Sequence, residues 1–236
     1  MDVVKEFDHG DDSTVNQAPE PTQLMLMLEA SAGAVERLAA ALGAARIASV
    51  VIEPTAGRAL DAATATPLIA AVQKANAAAL IVGDARLAST LDADGVHLPP
   101  SETLADAYAE ARATLGDRFV VGINAGTSRH DAMSLGEAGA AYVGFGLPHA
   151  AEITADAIAE QLELIAWWAE IFEVPCVAFD VASTDAAAAL ARAGADFVAI
   201  RVGAGEAPAE TQGRIRAFGD AIASSERAAQ ALRGSR

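Results

Sequence analysis

Apolar positions along this chain fall into short blocks that repeat one phrase. Alanine-rich segments with apolar residues at helical spacing end near a glycine, asparagine or aspartate, then pass through a few small residues into a run of consecutive apolar side chains. The phrase reads L-G-A-A-R-I-A-S-V-V-I from Leu42, A-N-A-A-A-L-I-V from Ala75, A-D-G-V-H-L from Ala93, A-G-A-A-Y-V-G-F from Ala138 and A-G-A-D-F-V-A-I from Ala193. A residue that tolerates a left-handed backbone closes each helix, and the unbroken apolar run that follows suits a strand covered on both faces. Each copy is therefore a helix-to-strand junction.

Taken in order, the pattern predicts strands from Gln23, at Ala48–Ile52, Ala79–Val82, Gly95–Leu98, Phe119–Ile123, Tyr142–Phe145, Cys176–Phe179 and Phe197–Ile200. Between them it predicts helices over Ala32–Leu42, from a Thr66 cap with Pro67 at the first position to about Asn76, over Arg86–Leu91, over Thr103–Leu115, from a Ser128 cap to about Ala138, up to about Phe172, and over Thr184–Ala193, with a last helix from Pro208. Eight strands alternating with eight helices argue for a single (β/α)8 TIM barrel over residues 22–236. No G-x-G-x-x-G follows the first strand, which counts against a dinucleotide-binding sheet. Residues 1–21 are acidic, polar and without periodicity, and read as a disordered tail.

Charge and composition narrow the function classes. The net charge of −16 and pI near 4.5 oppose binding to nucleic acid or to an anionic membrane surface. No basic and apolar leader and no span-length apolar window is present, so the expected location is the cytoplasm. The single cysteine, Cys176, sits in an apolar run and reads as a buried hydrophobe. Trp167 and Trp168 read as packing residues in a long helix. A homo-oligomer is left open. In a barrel of this kind the chemistry gathers at the carboxyl ends of the strands. The candidates there are Glu53 and Arg58, Asp84, His97 to Glu102, Asn124 to Thr127, Gly146 to His149, Asp180 to Thr184 and Arg201 to Gly205.

Several of these stretches, in their order, carry a resemblance: A-D-G-V-H-L at 93–98, G-D at 83–84, V-G-I-N at 121–124, G-A-A-Y-V-G-F-G at 139–146, P-C-V-A-F at 175–179 and A-G-A-D-F-V-A-I at 193–200. The chain resembles the superfamily of thiamine phosphate synthases and thiazole tautomerases from about Gln23 to Ile222. The resemblance implies coupling of an aminopyrimidine pyrophosphate to a thiazole phosphate, with release of pyrophosphate and with Mg2+ as cofactor. It places Asp84 and Glu102 as metal carboxylates, and hard oxygen ligands suit that ion. Their alternative roles are a cap for Asp84 and a first-turn acid for Glu102.

Arg58, His97 and Asn124 are the substrate-binding candidates. Ser183, Arg201 and Gly203 are the phosphate-binding candidates, on the loops where barrels commonly seat phosphate. The basic and glycine-rich signatures of the superfamily are replaced here by I-E-P-T-A at 52–56, Pro99-Pro100, P-H-A-A-E at 148–152 and Asp180-Val181. The chain has only two lysines, Lys5 and Lys74, neither at a strand end. A non-catalytic or repurposed barrel binding a small phosphorylated or heterocyclic ligand is therefore the alternative expectation. Closure of the phosphate site by an Asp180 to Arg201 ion pair is the expected sign of it.

Overall fold

The computed structural model describes residues 21–147 and 154–234. Eight parallel strands close on themselves in chain order: β1 (Gln23–Glu29), β2 (Ile47–Glu53), β3 (Ala78–Val82), β4 (Gly95–Leu98), β5 (Val120–Asn124), β6 (Val143–Phe145), β7 (Cys176–Ala178) and β8 (Phe197–Val202). The ring is completed by β8 against β1, with Met27 beside Arg201 on one side and beside Val51 on the other. The helices are α1 (Ala34–Leu42), α2 (Ala62–Lys74), α3 (Ala85–Thr90), α4 (Leu104–Leu115), α5 (Arg129–Glu137), α6 (Ala155–Ile171), α7 (Thr184–Ala193) and α8 (Pro208–Gly234). The barrel and its elements are those the sequence pattern predicts. The tail expected as disordered lies, up to residue 20, outside the described residues.

Element boundaries move where caps compete. The helix expected to begin after Thr66 begins at Ala62, because Asp61 accepts a hydrogen bond from the Thr64 amide and stops the fraying end five residues earlier. Thr66 then lies inside α2 and donates its hydroxyl to the Ala62 carbonyl, and Pro67 is accommodated within the helix. Elsewhere the expected Ser128 cap serves, accepting from the Asp131 amide, and Ser183 caps α7 by accepting from the Ala186 amide. The helix-to-strand phrase has a physical reason at two of its copies. Asp94, just before β4, accepts from the Ala79 amide at the foot of β3, and Asp196, just before β8, accepts from the Cys176 amide at the foot of β7, each at 2.7 Å. A carboxylate at that point satisfies the first free N–H of the neighbouring strand and sets its register.

Two layers of apolar packing result. The outer one joins helix faces to outward strand residues such as Leu26, Val50, Ile81 and Ile123, and it takes in Trp168, which is fully buried and donates its indole N–H to the Val174 carbonyl. Cys176 belongs to this layer, and burial pushes its thiol up to about 12. The inner layer fills the barrel with Met25, Met27, Val51, Leu80, Tyr142, Val177, Phe179 and Ala199. Among the described residues, no helix is long and apolar enough to cross a membrane.

Replacing Asp196 by alanine should destabilise the fold by about 1.5–3 kcal/mol, the range for a lost hydrogen bond to a charged group. Urea unfolding checks this; a midpoint equal to that of the wild type would mean that the strand foot is held by packing alone.

Candidate functional site

Side chains at the strand carboxyl ends follow from alternation. Val51, Ala199, Met27 and Gly122 face the barrel axis, so Glu53, Arg201, Glu29 and Asn124, two residues further along, face the mouth above them. His97 of β4 lies just below. It is 2% exposed, its Nδ1 is 2.8 Å from the Tyr142 hydroxyl, and its ring packs at 4.9 Å from that of Phe179 and stacks on Tyr142. Burial, and then the positive charge of Arg201, lower its pKa to about 3, so the imidazole is neutral at pH 7. Burial raises the Tyr142 phenol, which keeps its proton and can donate it to Nδ1.

Room for these rings comes from glycine. A Cβ on Gly122 would stand 2.0 Å from the Tyr142 ring, and one on Gly144 would stand 2.3 Å from the Phe179 ring. Both are contacts that no side chain could make without displacing an aromatic from the barrel axis.

Arg201 forms its ion pair with Glu53, not with Asp180. This corrects the expected Asp180 to Arg201 closure, and the register explains it. β1 lies between β2 and β8, Met27 sits beside both Val51 and Arg201, and Glu53 stands one inward position above Val51. The guanidinium therefore reaches over β1 to Glu53. Asp180 instead lies on the other side, past β7, in a left-handed conformation at φ 57°, with its Oδ2 buried and without a hydrogen-bond partner among the described residues.

The remaining expected residues are spread over separate places. Arg58 is exposed and lines a cavity of about 400 Å³ with Ser31, Thr55, Asp61 and Thr64, at the ends of β1 and β2. It helps to lower the pKa of Asp61, although the Thr64 amide does more. Asn124 is buried, and its Oδ1 accepts from the Gly126 amide. Asp84 caps α3 through the Leu87 amide and faces a cavity of about 140 Å³ with Arg86, Leu98 and Glu110. Glu102 lines a different cavity, of about 630 Å³, between the loops after β4, β5 and β6, which it shares with Pro99, Pro100, Thr127, Ser128 and Asp131. Ser183 spends its hydroxyl on capping α7, and the space around Gly203 is open. His149 lies outside the described residues.

For a magnesium ion, the donor chemistry of Asp84 and Glu102 is suitable but their placement in two cavities does not bring them onto one point. Among the described residues, no three His, Cys, Asp or Glu side chains converge as a metal site.

The family model for thiamine monophosphate synthase matches residues 27–203. The chain belongs to that family. It is 38% identical over 187 residues to a thiamine-phosphate synthase of Erythrobacter litoralis, covering 76% of this chain and 86% of the relative, and 34% identical to one of Rhodospirillum centenum, covering 77% and 86%. Its fold is similar to that of a thiamine phosphate pyrophosphorylase from Pyrococcus furiosus, at a TM-score of 0.69 and 19% identity, over 86% of this chain and 96% of the other. A second solved structure, described as native KDPGal, matches at the same TM-score and 14% identity. At those identities the structural likeness establishes the barrel, and the family rests on the sequence matches.

Sequence reasoning missed Tyr142 and Phe179 as partners of His97. The signal was present: Tyr142 keeps inward parity with Gly144 and Gly146, and large residues alternating with glycine are how a narrow barrel fills its axis.

His97 generates a prediction with a definite sign. Its folded pKa is below its unfolded value of 6.5, so the unfolded chain binds the extra proton between about 6.5 and about 3, and stability falls as pH is lowered through that window. NMR titration should find its imidazole neutral down to pH 5, and the fall in stability below pH 6.5 should be shallower in His97→Gln. An imidazole titrating near 6.5 would mean the mouth is wetter than its packing indicates.

Proposed function

We propose that the chain is a divergent thiamine phosphate synthase-like protein of the cytoplasm, acting on small heterocyclic phosphates and not on nucleic acid or membrane. The reaction is the coupling of an aminopyrimidine pyrophosphate to a thiazole phosphate: pyrophosphate leaves with its bonding electron pair from the carbon substituent that links it to the pyrimidine, and the lone pair of the thiazole ring nitrogen captures the resulting carbocation to form the new C–N bond. The single observation that carries this reading is the 38% identity to a thiamine-phosphate synthase across 86% of that relative's length.

In this reading Arg58, His97 and Asn124 contact substrate, and Ser183, Arg201 and Gly203 seat a phosphate on the loops after β7 and β8. Neutral His97 can offer a hydrogen bond from Nε2 when Nδ1 is taken by Tyr142, and Gly203 allows close backbone approach. The resemblance offers Asp84 and Glu102 as magnesium carboxylates, but they line separate cavities, so no step of the reaction is assigned to a metal held by the pair.

A second reading is favoured by one specific feature. Arg201 is paired with Glu53, while Glu29 stands beside Glu53 in register on β1, so carboxylates surround the cation at the mouth. A pyrophosphate there would meet like charges at close range, which costs affinity. Under this reading the barrel is repurposed to bind a small heterocyclic or phosphorylated ligand without the coupling step.

Complementation of a thiamine-requiring strain lacking its own synthase separates the two. Growth supports coupling; absence of growth from a soluble, expressed chain favours the repurposed barrel. The metal has its own check: calorimetry with magnesium and a pyrophosphate analogue should give equal heats in the wild type and Asp84→Ala, as expected of a helix cap, and binding lost in the variant would place the ion on Asp84.

A further inference from the structure

Barrels commonly seat a phosphate at the exits of the seventh and eighth strands, on backbone N–H groups, a helix N-terminus and a nearby cation. At the end of β8 two arginines are each held by a carboxylate. Arg201, on β8, pairs with Glu53 of β2 across β1. Arg214, on α8, reaches the same strand end, where its Nη2 donates to the Arg201 carbonyl at 2.7 Å. That Nη2 also donates to Oε2 of Glu206 at 2.7 Å while Nε donates to Oε1 at 2.8 Å, a two-pronged grip. Glu206 ends the short loop after β8, where its amide donates back to the Gly203 carbonyl. In both pairs the acid lies deeper than the base: side-chain exposure is 18% for Glu53 against 48% for Arg201, and 10% for Glu206 against 33% for Arg214.

Room is not what bars an anion here. A Cβ built on Gly203 or on Gly205 would meet nothing within 4 Å, so the loop is open to a close approach. Charge and donors are set against it instead. Glu29 stands beside Glu53 in register. The helix after β8 begins at Pro208, which has no N–H to offer, and carries Glu210 in its first turn. The helix after β7 carries Asp185 in its first turn, and the Ser183 hydroxyl is engaged as its cap. A phosphate dianion entering this exit would meet carboxylates on each side, and the guanidinium groups it needs already face acids of their own.

We propose that Glu53 and Glu206 are specificity-determining residues: by holding Arg201 and Arg214 they select at the β8 exit against phosphate dianions and in favour of uncharged or cationic ligand groups. The inference rests on the reading of the barrel as repurposed, and it names the ligand class that reading requires, a heterocycle that presents no phosphate to this exit. Arg201 then serves to hold Glu53 over the end of β1, and Arg214 serves to hold the loop after β8.

Inorganic phosphate is titrated into the full-length chain, followed by calorimetry and by NMR of the arginine Nε–H resonances. In the wild type it should leave the Arg201 resonance in place. Glu53→Gln keeps the shape and removes the charge, so it should bind phosphate at least about fivefold more tightly, the effect of one exposed ion pair of the stronger kind, with a shift of the Arg201 resonance. Adding Arg201→Ala to that variant should abolish the gain. Glu206→Gln should gain in the same way, with a shift at Arg214, and thermal melting by circular dichroism shows that each variant is folded. A wild type that binds phosphate as tightly as Glu53→Gln, or a gain that survives the loss of Arg201, overturns the proposal. A folded carboxamide variant without the gain overturns the role of its own residue. Complementation judges the repurposed reading by itself. Growth, with phosphate still turned away by the wild type, removes that reading and leaves the two carboxylates in their role, whereas no growth, with phosphate bound at Arg201 of the wild type, does the reverse.

Discussion

The packing of His97, Tyr142 and Phe179 at the top of the barrel axis is the constraint on which the mouth depends. Two aromatic rings and an imidazole can occupy so narrow a cross-section only because Gly122 and Gly144 give up their side chains to them. The plug dries the space below the mouth, and that dryness keeps His97 neutral and the Tyr142 phenol protonated. Every polar group above the plug is thus supported on a rigid, water-poor floor. A hydrogen bond made there is worth more than one made on an open surface.

Charge on that floor is divided by position. On the β1–β2–β8 side, Glu53 and Arg201 pair, and Glu29 stands beside Glu53. On the β5–β7 side Asp180 has no such pairing among the described residues, and around Gly146 it is joined by the Asn124 amide and the Phe179 Cβ. One half of the mouth is therefore internally compensated and the other is not. The exposed Arg201 side chain, 48% accessible against 18% for Glu53, is solvated enough for a ligand to compete for it, but only by drawing it away from Glu53.

How much of this was legible in the sequence depends on the range of the interaction. The barrel was, because its signal is local and repeated: an apolar helix face, a residue tolerant of positive φ, and a strand covered on both sides recur along the chain, and Asp94 and Asp196 sit at matching points of that phrase. Boundaries failed where two caps lay within two turns of each other, as with Asp61 and Thr66, since either could accept the first free amides and only tertiary placement chooses between them. The list of strand-end residues was legible as well, including His97, Asn124, Asp180 and Arg201.

Partnership between those residues was not legible, because it depends on how far the strands are staggered around a closed ring. Asp180, just past β7, and Arg201, near the end of the adjacent β8, lie close in sequence order, and charge alone pairs them. Closure of β8 on β1 gives Arg201 a nearer acid from β2, which is more than a hundred residues away along the chain. Asp84 and Glu102 likewise look like neighbours on adjacent strand ends, yet one turns outward to cap α3 while the other faces the cavity beyond the double proline. Pro99-Pro100 is the physical cause of the second displacement. Two fixed φ angles without N–H donors carry the chain straight out of β4, so the residues after them stand over the loops of β5 and β6 and away from β3. The double proline thus sets which cavity the Glu102 carboxylate faces.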